Sequence, residues 1–496
     1  MSERRSGILM PVTALPTRYG IGGFSPEAYA FVDRLERAGQ KIWQVLPMGP
    51  TGYGDSPYQS ASAYAGNPYM ISLDFLKEEG LLTQQECDAA DCGGNPAFVS
   101  YEKIYLTRHK VLRKAYERFQ ADKVPAYAQF IEDNKSWLED YALYSVIKQE
   151  QGGKPWMEWP DPLRLRDEAA IEEQKETMAD EIQFVYFRQY LFAKQWSRLK
   201  TYANEKGIKI LGDIPIYAAM DSADAWADPA QFQFDADMTP AGVAGCPPDA
   251  YAVDGQLWGN PLYDWPYHKE TGYSWWISRM RHIQTLYDIV RIDHFRGFEA
   301  YYSVPYGEPT ARNGHWEPGP GMDIFRALEA ALGKMDVVAE DLGFLTDSVR
   351  EMVRESGYPG MKVLQFAFGD SPYNEYLPHN HIRNCIVYTG THDNETSRGW
   401  FKSMPEYVRK YCLDYLGCPE HTEEQFAEDM IRTALSSVAD TAVIPMQDYL
   451  NLDNSARINE PSTLGGINWC WRMQPDAFTE ELADRIRRLT ERYGRC

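Results

Sequence analysis

The sequence lacks the features that mark membrane, secreted and nucleic-acid-binding proteins. No apolar run approaches the roughly 18 residues that a transmembrane helix needs, and no apolar segment with a small-residue cleavage site stands near the N-terminus. Basic residues are few, since 50 Lys and Arg stand against 72 Asp and Glu and give a net charge of −22. Such a surface repels phosphate backbones and anionic lipids. We therefore expect a cytoplasmic protein without nucleic-acid or membrane partners.

Cysteine motifs are also missing. The cysteines form no Cys-x-x-Cys pair and have no His-rich segment beside them, which argues against a zinc site. No cysteine lies in a polar cluster at a predicted strand end, so nothing indicates a catalytic thiol. Without an export signal we expect scattered, reduced thiols. They are Cys87, Cys92, Cys246, Cys385, Cys412, Cys418, Cys470 and Cys496.

Short apolar runs that end in polar residues or in Gly and Pro recur along the 496 residues. They are rich in Val, Ile and Leu and nearly continuous, which is typical of strands buried on both faces of a parallel sheet. The eight runs are Gly7–Val12, Ile42–Met48, Ile208–Tyr217, Ile289–Phe295, Val337–Leu342, Met361–Phe368, Cys385–Thr389 and Thr441–Gln447.

Helical patterns alternate with these runs. In the first, Ser25 is a candidate N-cap, Pro26 suits the first helical position and Gly39 suits the end. Eight strands alternating with helices predict a (β/α)8 barrel. A doubly wound open sheet is the alternative, but no Gly-x-Gly-x-x-Gly follows an early strand. The other predicted helices are Ile277–Tyr287, Ile324–Leu332, Asp347–Glu355 and Ala477–Tyr493.

The spacing of the runs predicts one catalytic barrel over residues 1–496 with insertions on its active-site face. A helical insertion of approximately 74–165 follows the second strand, and loop insertions of approximately 220–275 and 299–322 line the cleft. Helix-like stretches between the second and third strands are Tyr101–Phe119, Tyr127–Gln149 and Glu172–Tyr202.

Carboxylates stand at several strand ends, where a barrel gathers side chains at one mouth. Asp213 ends the third run, and Asp293 lies in the fourth, two residues after Arg291. Alternation along a strand places Arg291 and Asp293 on one face. The guanidinium is expected to keep the pKa of Asp293 low and the carboxylate ionised, as a nucleophile requires. A structural Arg–Asp pair is the alternative.

Glu340 follows the apolar residues 337–339 without an adjacent cation. Desolvation there raises a carboxyl pKa, as a general acid near neutrality requires. Its neighbour Asp341 is expected on the opposite face, capping the next helix, but alternation leaves open which of the two points inward. Asp393, beside His392 beyond the seventh run, is either a third carboxylate for sugar hydroxyls or a turn residue.

One protonated and one ionised carboxyl group, roughly 5 Å apart, are what retaining cleavage of a glycosidic bond needs. Aromatic clusters among polar residues favour a saccharide-lined cleft, although loop packing is the alternative for any single ring. The clusters are Tyr53, Tyr58, Tyr64 and Tyr69, then Tyr251, Trp258, Tyr263, Trp265, Tyr267, Tyr273, Trp275 and Trp276.

Rival functions are a metal-dependent barrel enzyme and a non-catalytic glucan-binding scaffold. The first needs paired imidazoles on one face, whereas each His here adjoins an acid in sequence. A glucan-binding scaffold requires that the candidate catalytic carboxylates be dispensable. The metal ligands of the first rival are Asp213, Asp293, His294, Glu340 and His392.

Several segments together resemble the 4-α-glucanotransferases, or amylomaltases, of the α-amylase clan. The resemblance extends in order from about Gly7 to Trp471. The segments are Ser56–Gln59, Ala65–Pro68, Gly212–Tyr217, Trp258–Tyr263, Val290–Phe298, Ala339–Gly343 and Gly390–Asn394. The closing motif Ala456–Thr463 departs from the family in Ile458 and Ser462, and Leu464–Ile467 is longer than usual.

The resemblance implies a (β/α)8 barrel without a separate C-terminal β domain. It implies transfer of an α-1,4-glucan segment to the 4-hydroxyl of an acceptor, by double displacement and without a cofactor or metal. Maltooligosaccharides and amylose are the implied substrates, and an α-glucan hydrolase of the same clan is the alternative. The implied roles are Asp293 as nucleophile, Glu340 as acid/base and Asp393 as transition-state stabiliser. The implied sugar-binding residues are Tyr58, Asp213, Arg291, His294, His392, Asn394, Tyr101, Trp258 and Asn260.

Overall fold

The computed structural model describes residues 4–52, 54–90, 94–248, 252–343, 345–369 and 371–496. Tyr53, Cys92 and Tyr251, which the sequence analysis named, lie outside the described residues. The described strands are β1 Arg5–Leu9, β2 Ile42–Gln44, β3 Lys209–Pro215, β4 Gly242–Cys246, β5 Gln256–Pro261, β6 Ile289–Asp293, β7 Ala300–Pro305, β8 His315–Pro318, β9 Val337–Ala339, β10 Gly360–Val363, β11 Cys385–Tyr388 and β12 Thr441–Pro445.

Each of the eight apolar runs overlaps a strand of one parallel sheet. The order across the sheet is β10-β11-β12-β1-β2-β3-β6-β9. Apolar side chains such as Ile8, Val443 and Ile386 are fully or almost fully buried, because helices cover the outer faces of the strands and the strands cover one another. The predicted (β/α)8 barrel is confirmed.

The barrel closes between β9 and β10 through a small number of hydrogen bonds. The backbone N–H of Ala339 donates to the carbonyl oxygen of Pro359 at 3.0 Å. The N–H of Met361 donates instead to Oδ1 of Asp341 at 2.7 Å. A side chain thus replaces a backbone acceptor where the two strands come together.

The helices follow the predicted pattern with shifts of a few residues at most ends. In the first, the Ser25 hydroxyl donates to Glu27 at 2.5 Å and caps no backbone N–H. The predicted stretch Glu172–Tyr202 is two helices, separated at Met178. Gly39 lies just beyond the first helix with φ +69°. The bounds are α1 Pro26–Arg37, α2 Leu73–Glu78, α3 Gln84–Ala89, α4 Tyr101–Arg118, α5 Pro125–Glu150, α6 Asp161–Arg164, α7 Glu168–Thr177, α8 Ala179–Glu205, α9 Ala223–Ala227, α10 Trp265–Glu270, α11 Ser274–Leu286, α12 Met322–Leu332, α13 Asp347–Ser356, α14 Ser397–Ser403, α15 Glu406–Leu416, α16 Glu423–Ser436, α17 Met446–Tyr449 and α18 Glu480–Arg492.

A second sheet stands beside the barrel mouth. It is antiparallel, its order is β5-β4-β7-β8, and its strands come from the segments that follow β3 and β6. The sequence analysis predicted only loops there. In the described part of the chain, no helix is long and apolar enough to cross a membrane.

Candidate active site

Three charged side chains meet at the ends of β3 and β6. The parallel register pairs Asp213 with Arg291, and both oxygens of Asp213 lie 2.7 Å from Nη1 of Arg291. Nη2 of Arg291 lies 2.8 Å from Oδ1 of Asp293. Arg291 and Asp213 are almost fully buried, whereas 32% of the Asp293 side chain is exposed. The guanidinium therefore holds a buried anion on one side and an accessible one on the other.

The structure corrects the expectation for Asp293. Burial raises the pKa of this carboxyl above its ordinary value, and Arg291 offsets only part of that effect. The sequence shows the cation but not the extent of burial around the acid, and desolvation is the larger influence. Asp293 is the carboxylate paired with a cation, and that pairing favours its ionised form over that of its neighbour Glu340.

Glu340 lies just beyond β9 and reaches toward Asp293. Burial and the charge of Asp293 raise the pKa of Glu340 to about 7, as expected for a general acid. The backbone N–H of His294 donates to its Oε2 at 2.7 Å, and that of Leu342 donates to its Oε1 at 2.8 Å. Two backbone donors therefore fix the orientation of the carboxyl group.

Asp341 points away from this cluster. Its Oδ1 accepts the N–H of Met361 at the barrel closure, and the side chain caps no helix. The structure settles the ambiguity between the two acids in favour of Glu340 at the mouth. The predicted capping role of Asp341 is wrong, because the closing strand takes up its carboxylate.

The loop after β11 carries His392, Asp393 and Asn394. Asn459 donates from Nδ2 to Oδ1 of Asp393 at 2.7 Å, and Asp393 is 44% exposed. Oδ1 of Asn394 accepts both the backbone N–H and the hydroxyl of Thr391 at 2.9 Å. The predicted sugar-binding residue Asn394 thus uses its carbonyl oxygen to shape the turn that presents Asp393.

Tyr58 joins two parts of the cluster. Its hydroxyl donates to Oδ2 of Asp213 at 2.8 Å, and its ring stacks on His392 with centroids 5.1 Å apart and planes 18° apart. Trp469 lies against both rings, at 5.8 Å from Tyr58 and 6.0 Å from His392. The sequence analysis did not name Trp469 as a site residue.

The second sheet supplies Trp258 and Asn260. The Trp258 ring meets His294 edge to face at 4.7 Å, and His294 has a left-handed backbone with φ 54°. Nε2 of His294 is buried and has no hydrogen-bond partner among the described residues. Asn260 donates to the Ala218 carbonyl at 2.8 Å and accepts from Gln59 at 3.2 Å, so its amide supports the loop rather than facing open space.

Most of the aromatic cluster is core, contrary to the expectation of a sugar-lined cleft. The rings of Tyr263, Trp265, Trp275 and Trp276 are buried and pack on one another. Trp258 remains half-buried at the cleft. Tyr101 is also buried; its hydroxyl donates to the Trp469 carbonyl at 3.2 Å, and it lines a cavity with Asp55, Trp469 and Trp471.

Asp448 is a further functional candidate that the sequence analysis missed. It follows β12, is buried, and accepts the Thr389 hydroxyl at 2.5 Å and the Ser397 hydroxyl at 2.7 Å, both on Oδ2. Its Oδ1 accepts the Ser397 backbone N–H at 2.8 Å. These bonds fix both ends of the loop that carries Asp393. The sequence does offer a signal for this residue, because Asp448 is a carboxylate directly after the last apolar run.

A profile described as 4-alpha-glucanotransferase matches residues 10–479 of the chain. The chain belongs to the 4-alpha-glucanotransferase family. The 4-alpha-glucanotransferase of Clostridium butyricum is 49% identical over 489 residues, which cover 98% of this chain and 100% of that protein. The chloroplastic/amyloplastic 4-alpha-glucanotransferase of Solanum tuberosum is 41% identical and covers 99% of this chain and 87% of its own.

Solved structures agree. An amylomaltase from Streptococcus agalactiae in complex with acarbose has a TM-score of 0.96 and 39% identity, with 99% of this chain and 100% of that chain covered. An amylomaltase from Corynebacterium glutamicum shares the fold at a TM-score of 0.80 and 17% identity, with coverage of 98% and 75%. The chain is a transferase that acts on α-1,4-glucans, and the predicted family, fold and activity are confirmed.

Proposed function

We propose that Asp293 attacks the anomeric carbon of an α-1,4-glucan while Glu340 protonates the departing 4-oxygen. This step breaks the glycosidic bond, forms a covalent glycosyl ester on Asp293 and releases the first glucan. Glu340 then removes the proton from the 4-hydroxyl of an acceptor glucan, whose oxygen replaces Asp293 and restores the configuration.

One observation carries the assignment: of the two neighbouring acids, Asp293 is the one that pairs with Arg291, whereas backbone N–H groups hold Glu340. Burial and the charge of Asp293 raise the pKa of Glu340 to about 7. Two carboxyl groups in one low-dielectric site share a proton, and the proton resides on the group without a cation. Arg291 pairs with Asp293 at 2.8 Å. Glu340 is therefore the acid and Asp293 the nucleophile, which are different roles for chemically similar groups.

Asp393 is proposed to stabilise the developing positive charge on the sugar. Asn459 donates to its Oδ1, and Nε2 of His392 lies 3.4 Å from its Oδ2. Oδ2 is the oxygen proposed to meet sugar hydroxyls, since the side chain is 44% exposed. Tyr58, Asp213, Arg291, His392, His294 and Trp258 are proposed to border the sugars on either side of the scissile bond. Asn394, Asn260 and Tyr101 stay proposed sugar-binding residues, and their hydrogen bonds to Thr391, Ala218 and Trp469 also help to shape that border.

The segments of approximately 74–165, 220–275 and 299–322 are proposed to build the walls of the substrate cleft. A deep cleft suits a transferase, because it excludes water from the glycosyl ester while an acceptor binds. Maltooligosaccharides and amylose are the proposed donors and acceptors, and the cytoplasm is the proposed compartment.

The test is incubation with maltotriose as the sole substrate. Transfer predicts longer maltooligosaccharides together with glucose. Shortening of the substrate without elongation would identify a hydrolase and overturn the proposed acceptor step. Binding without any turnover would indicate the glucan-binding scaffold.

Exhaustive chelation distinguishes the proposal from a metal-dependent mechanism. Full transferase activity after chelation is expected, because positioning and matched pKa values perform the chemistry. Activity that is lost on chelation and restored by a divalent ion would contradict the roles given to Asp293 and Glu340.

A further inference from the structure

Cys418, His421 and Asp429 form a compact cluster that shares no residue with the catalytic site. The thiol sulfur, a ring nitrogen and a carboxylate oxygen all lie within 4.8 Å of one another. Among the residues that the structure describes, this is the only group of three or more His, Cys, Asp or Glu side chains with such spacing. A search for Cys-x-x-Cys alone overlooks it, because the motif is Cys-x-x-His followed by an acid on the next helix.

The backbone places these donors before any ion is present. α15 ends at Leu416, and Gly417 adopts the left-handed conformation with φ 70°. The N–H of Cys418 then donates to the Leu413 carbonyl at 2.9 Å, which is the bond of a Schellman motif. The N–H of His421 donates to the Cys418 carbonyl at 3.2 Å. Asp429 projects from α16, the next helix, so the cluster bridges two helices.

The three side chains already lie against one another. Nδ1 of His421 lies 2.5 Å from Oδ2 of Asp429, and the Cys418 sulfur lies within 4.8 Å of the ligand atoms of both. The ion pair found for Asp429 in the described part of the chain is with His421, and no lysine or arginine there pairs with it. A carboxylate, an imidazole and a thiol thus converge without a permanent cation to balance them.

We propose that Cys418, His421 and Asp429 bind a Zn²⁺ ion, with a water molecule as the fourth ligand. Sulfur, imidazole and carboxylate are the donor types that zinc takes, in tetrahedral geometry. Tetrahedral bonds of ordinary length place neighbouring donor atoms about 3.5 Å apart. The His421 nitrogen and the Asp429 oxygen therefore separate by about 1 Å on binding, which side-chain rotation supplies.

Binding releases protons. The thiol of Cys418 loses its proton to solvent and forms the zinc–sulfur bond, and Nδ1 of His421 gives up the proton that it donates to Asp429 before it coordinates the ion. Because the thiol must lose its proton before it binds the ion, zinc affinity should increase as the pH rises. An ion has a route to the donors, since His421 is 37% and Asp429 20% exposed.

Cobalt spectroscopy and zinc competition on the full chain, purified without an affinity tag, test the proposal. One equivalent of Co²⁺ should give a thiolate-to-cobalt charge-transfer band in the near ultraviolet and the visible bands of a tetrahedral site. Zn²⁺ should displace the cobalt. Cys418→Ser should abolish the charge-transfer band, and His421→Gln and Asp429→Asn should each weaken zinc binding by about tenfold or more against a chromophoric chelator.

Matched controls are Cys412→Ser, which removes the buried thiol of α15, and Cys496→Ser, which removes an exposed thiol. Both should keep the cobalt spectrum. A spectrum without the charge-transfer band, or one that Cys418→Ser leaves unchanged, would overturn the proposal. If Cys418→Ser fails to fold, His421→Gln and Asp429→Asn decide the question, and wild-type affinity in both would equally contradict it.

Measurements on the same variants distinguish a failure of the zinc-site proposal from a failure of the proposed transferase mechanism. Maltotriose disproportionation should be unchanged in His421→Gln, whereas the Tm of the wild-type protein alone should rise with the concentration of Zn²⁺, because an ion that binds only the folded chain stabilises it. Equal Tm shifts in wild type and Asp429→Asn would count against the site.

Discussion

The backbone N–H of His294 donates to Oε2 of Glu340 at 2.7 Å. His294 directly follows Asp293, so the peptide beside the proposed nucleophile also orients the proposed acid/base. Its left-handed conformation, φ 54°, turns the chain sharply at the end of β6 and aims the N–H at the neighbouring strand. A backbone atom that no side-chain substitution removes therefore helps to orient Glu340.

Asp293→Asn should abolish turnover and spare binding. The amide is a poor nucleophile, so kcat should fall by at least about 10³-fold. The dissociation constant for a maltooligosaccharide, measured by calorimetry, should stay within a few-fold of wild type because the neutral group retains the shape of the site. Near-wild-type disproportionation would contradict the assignment.

Glu340→Gln should show a dependence on the leaving group. Transfer from maltotriose needs a proton on the departing oxygen, whereas a glycosyl fluoride does not. The loss of rate in the first half-reaction should therefore be far larger with maltotriose than with maltosyl fluoride. Equal losses with both donors would assign the acid role to another residue.

The pH profile should follow the proton on Glu340. Because this carboxyl has a pKa of about 7 and acts first as an acid, kcat/KM for maltotriose should fall as the pH rises through about 7. This falling part of the pH profile reports an apparent pKa of the two coupled carboxyl groups together. With maltosyl fluoride in single-turnover measurements the falling limb should vanish. A limb that is identical for both donors would point to a different group.

Asp448→Asn should lower kcat through the loop that carries Asp393. The amide presents a donor where Thr389 and Ser397 already donate, so the loop should shift and cost about 10–100-fold in kcat. Ser397→Ala, which removes one hydroxyl donor and keeps the backbone bond, should cost less.

Asp341→Ala is the matched comparison, since Asp341 is another buried carboxylate but serves the barrel closure. Leaving the Met361 N–H unpaired should lower the free energy of unfolding by about 1–3 kcal/mol. Denaturant melts and kcat together distinguish the two variants. For each kcal/mol of unfolding free energy lost, Asp448→Asn should lose more kcat than Asp341→Ala. The reverse order would refute the positioning role of Asp448.

The sequence predicted the barrel strands well, because parallel strands buried on both faces leave continuous apolar runs. It did not predict the second sheet, whose strands Gly242–Cys246 and Gln256–Pro261 contain Gly and Pro and lack a clear alternation. It also did not separate Glu340 from Asp341 by alternation, because β9 ends at Ala339 and both acids lie beyond the regular strand. The family resemblance implied the choice of Glu340, and in the structure Glu340 accepts the N–H of His294 while Asp341 accepts that of Met361 at the barrel closure.

Burial explains the remaining differences between the sequence-based predictions and the structure. The sequence shows Arg291 two residues before Asp293 but not the surrounding atoms that desolvate the acid, so the direction of its pKa shift was wrong. The aromatic segment 258–276 has the composition of a sugar cleft, yet Tyr263 and Trp276 are almost fully buried. Long-range contacts decide both cases, and local composition does not contain them.

The pairing of β1 with β12, which aligns Arg5 with Thr441 and Leu9 with Pro445, has a consequence for synthesis on the ribosome. The first strand to emerge waits for a partner more than four hundred residues later, with one hydrogen-bonding edge open and prone to wrong partners meanwhile. The pairing of β1 with β12 therefore forms only after all the other strands of the barrel have been synthesised. A ribosome-stalled nascent chain ending before β12 should accordingly remain protease-sensitive at β1, however well its helices have formed.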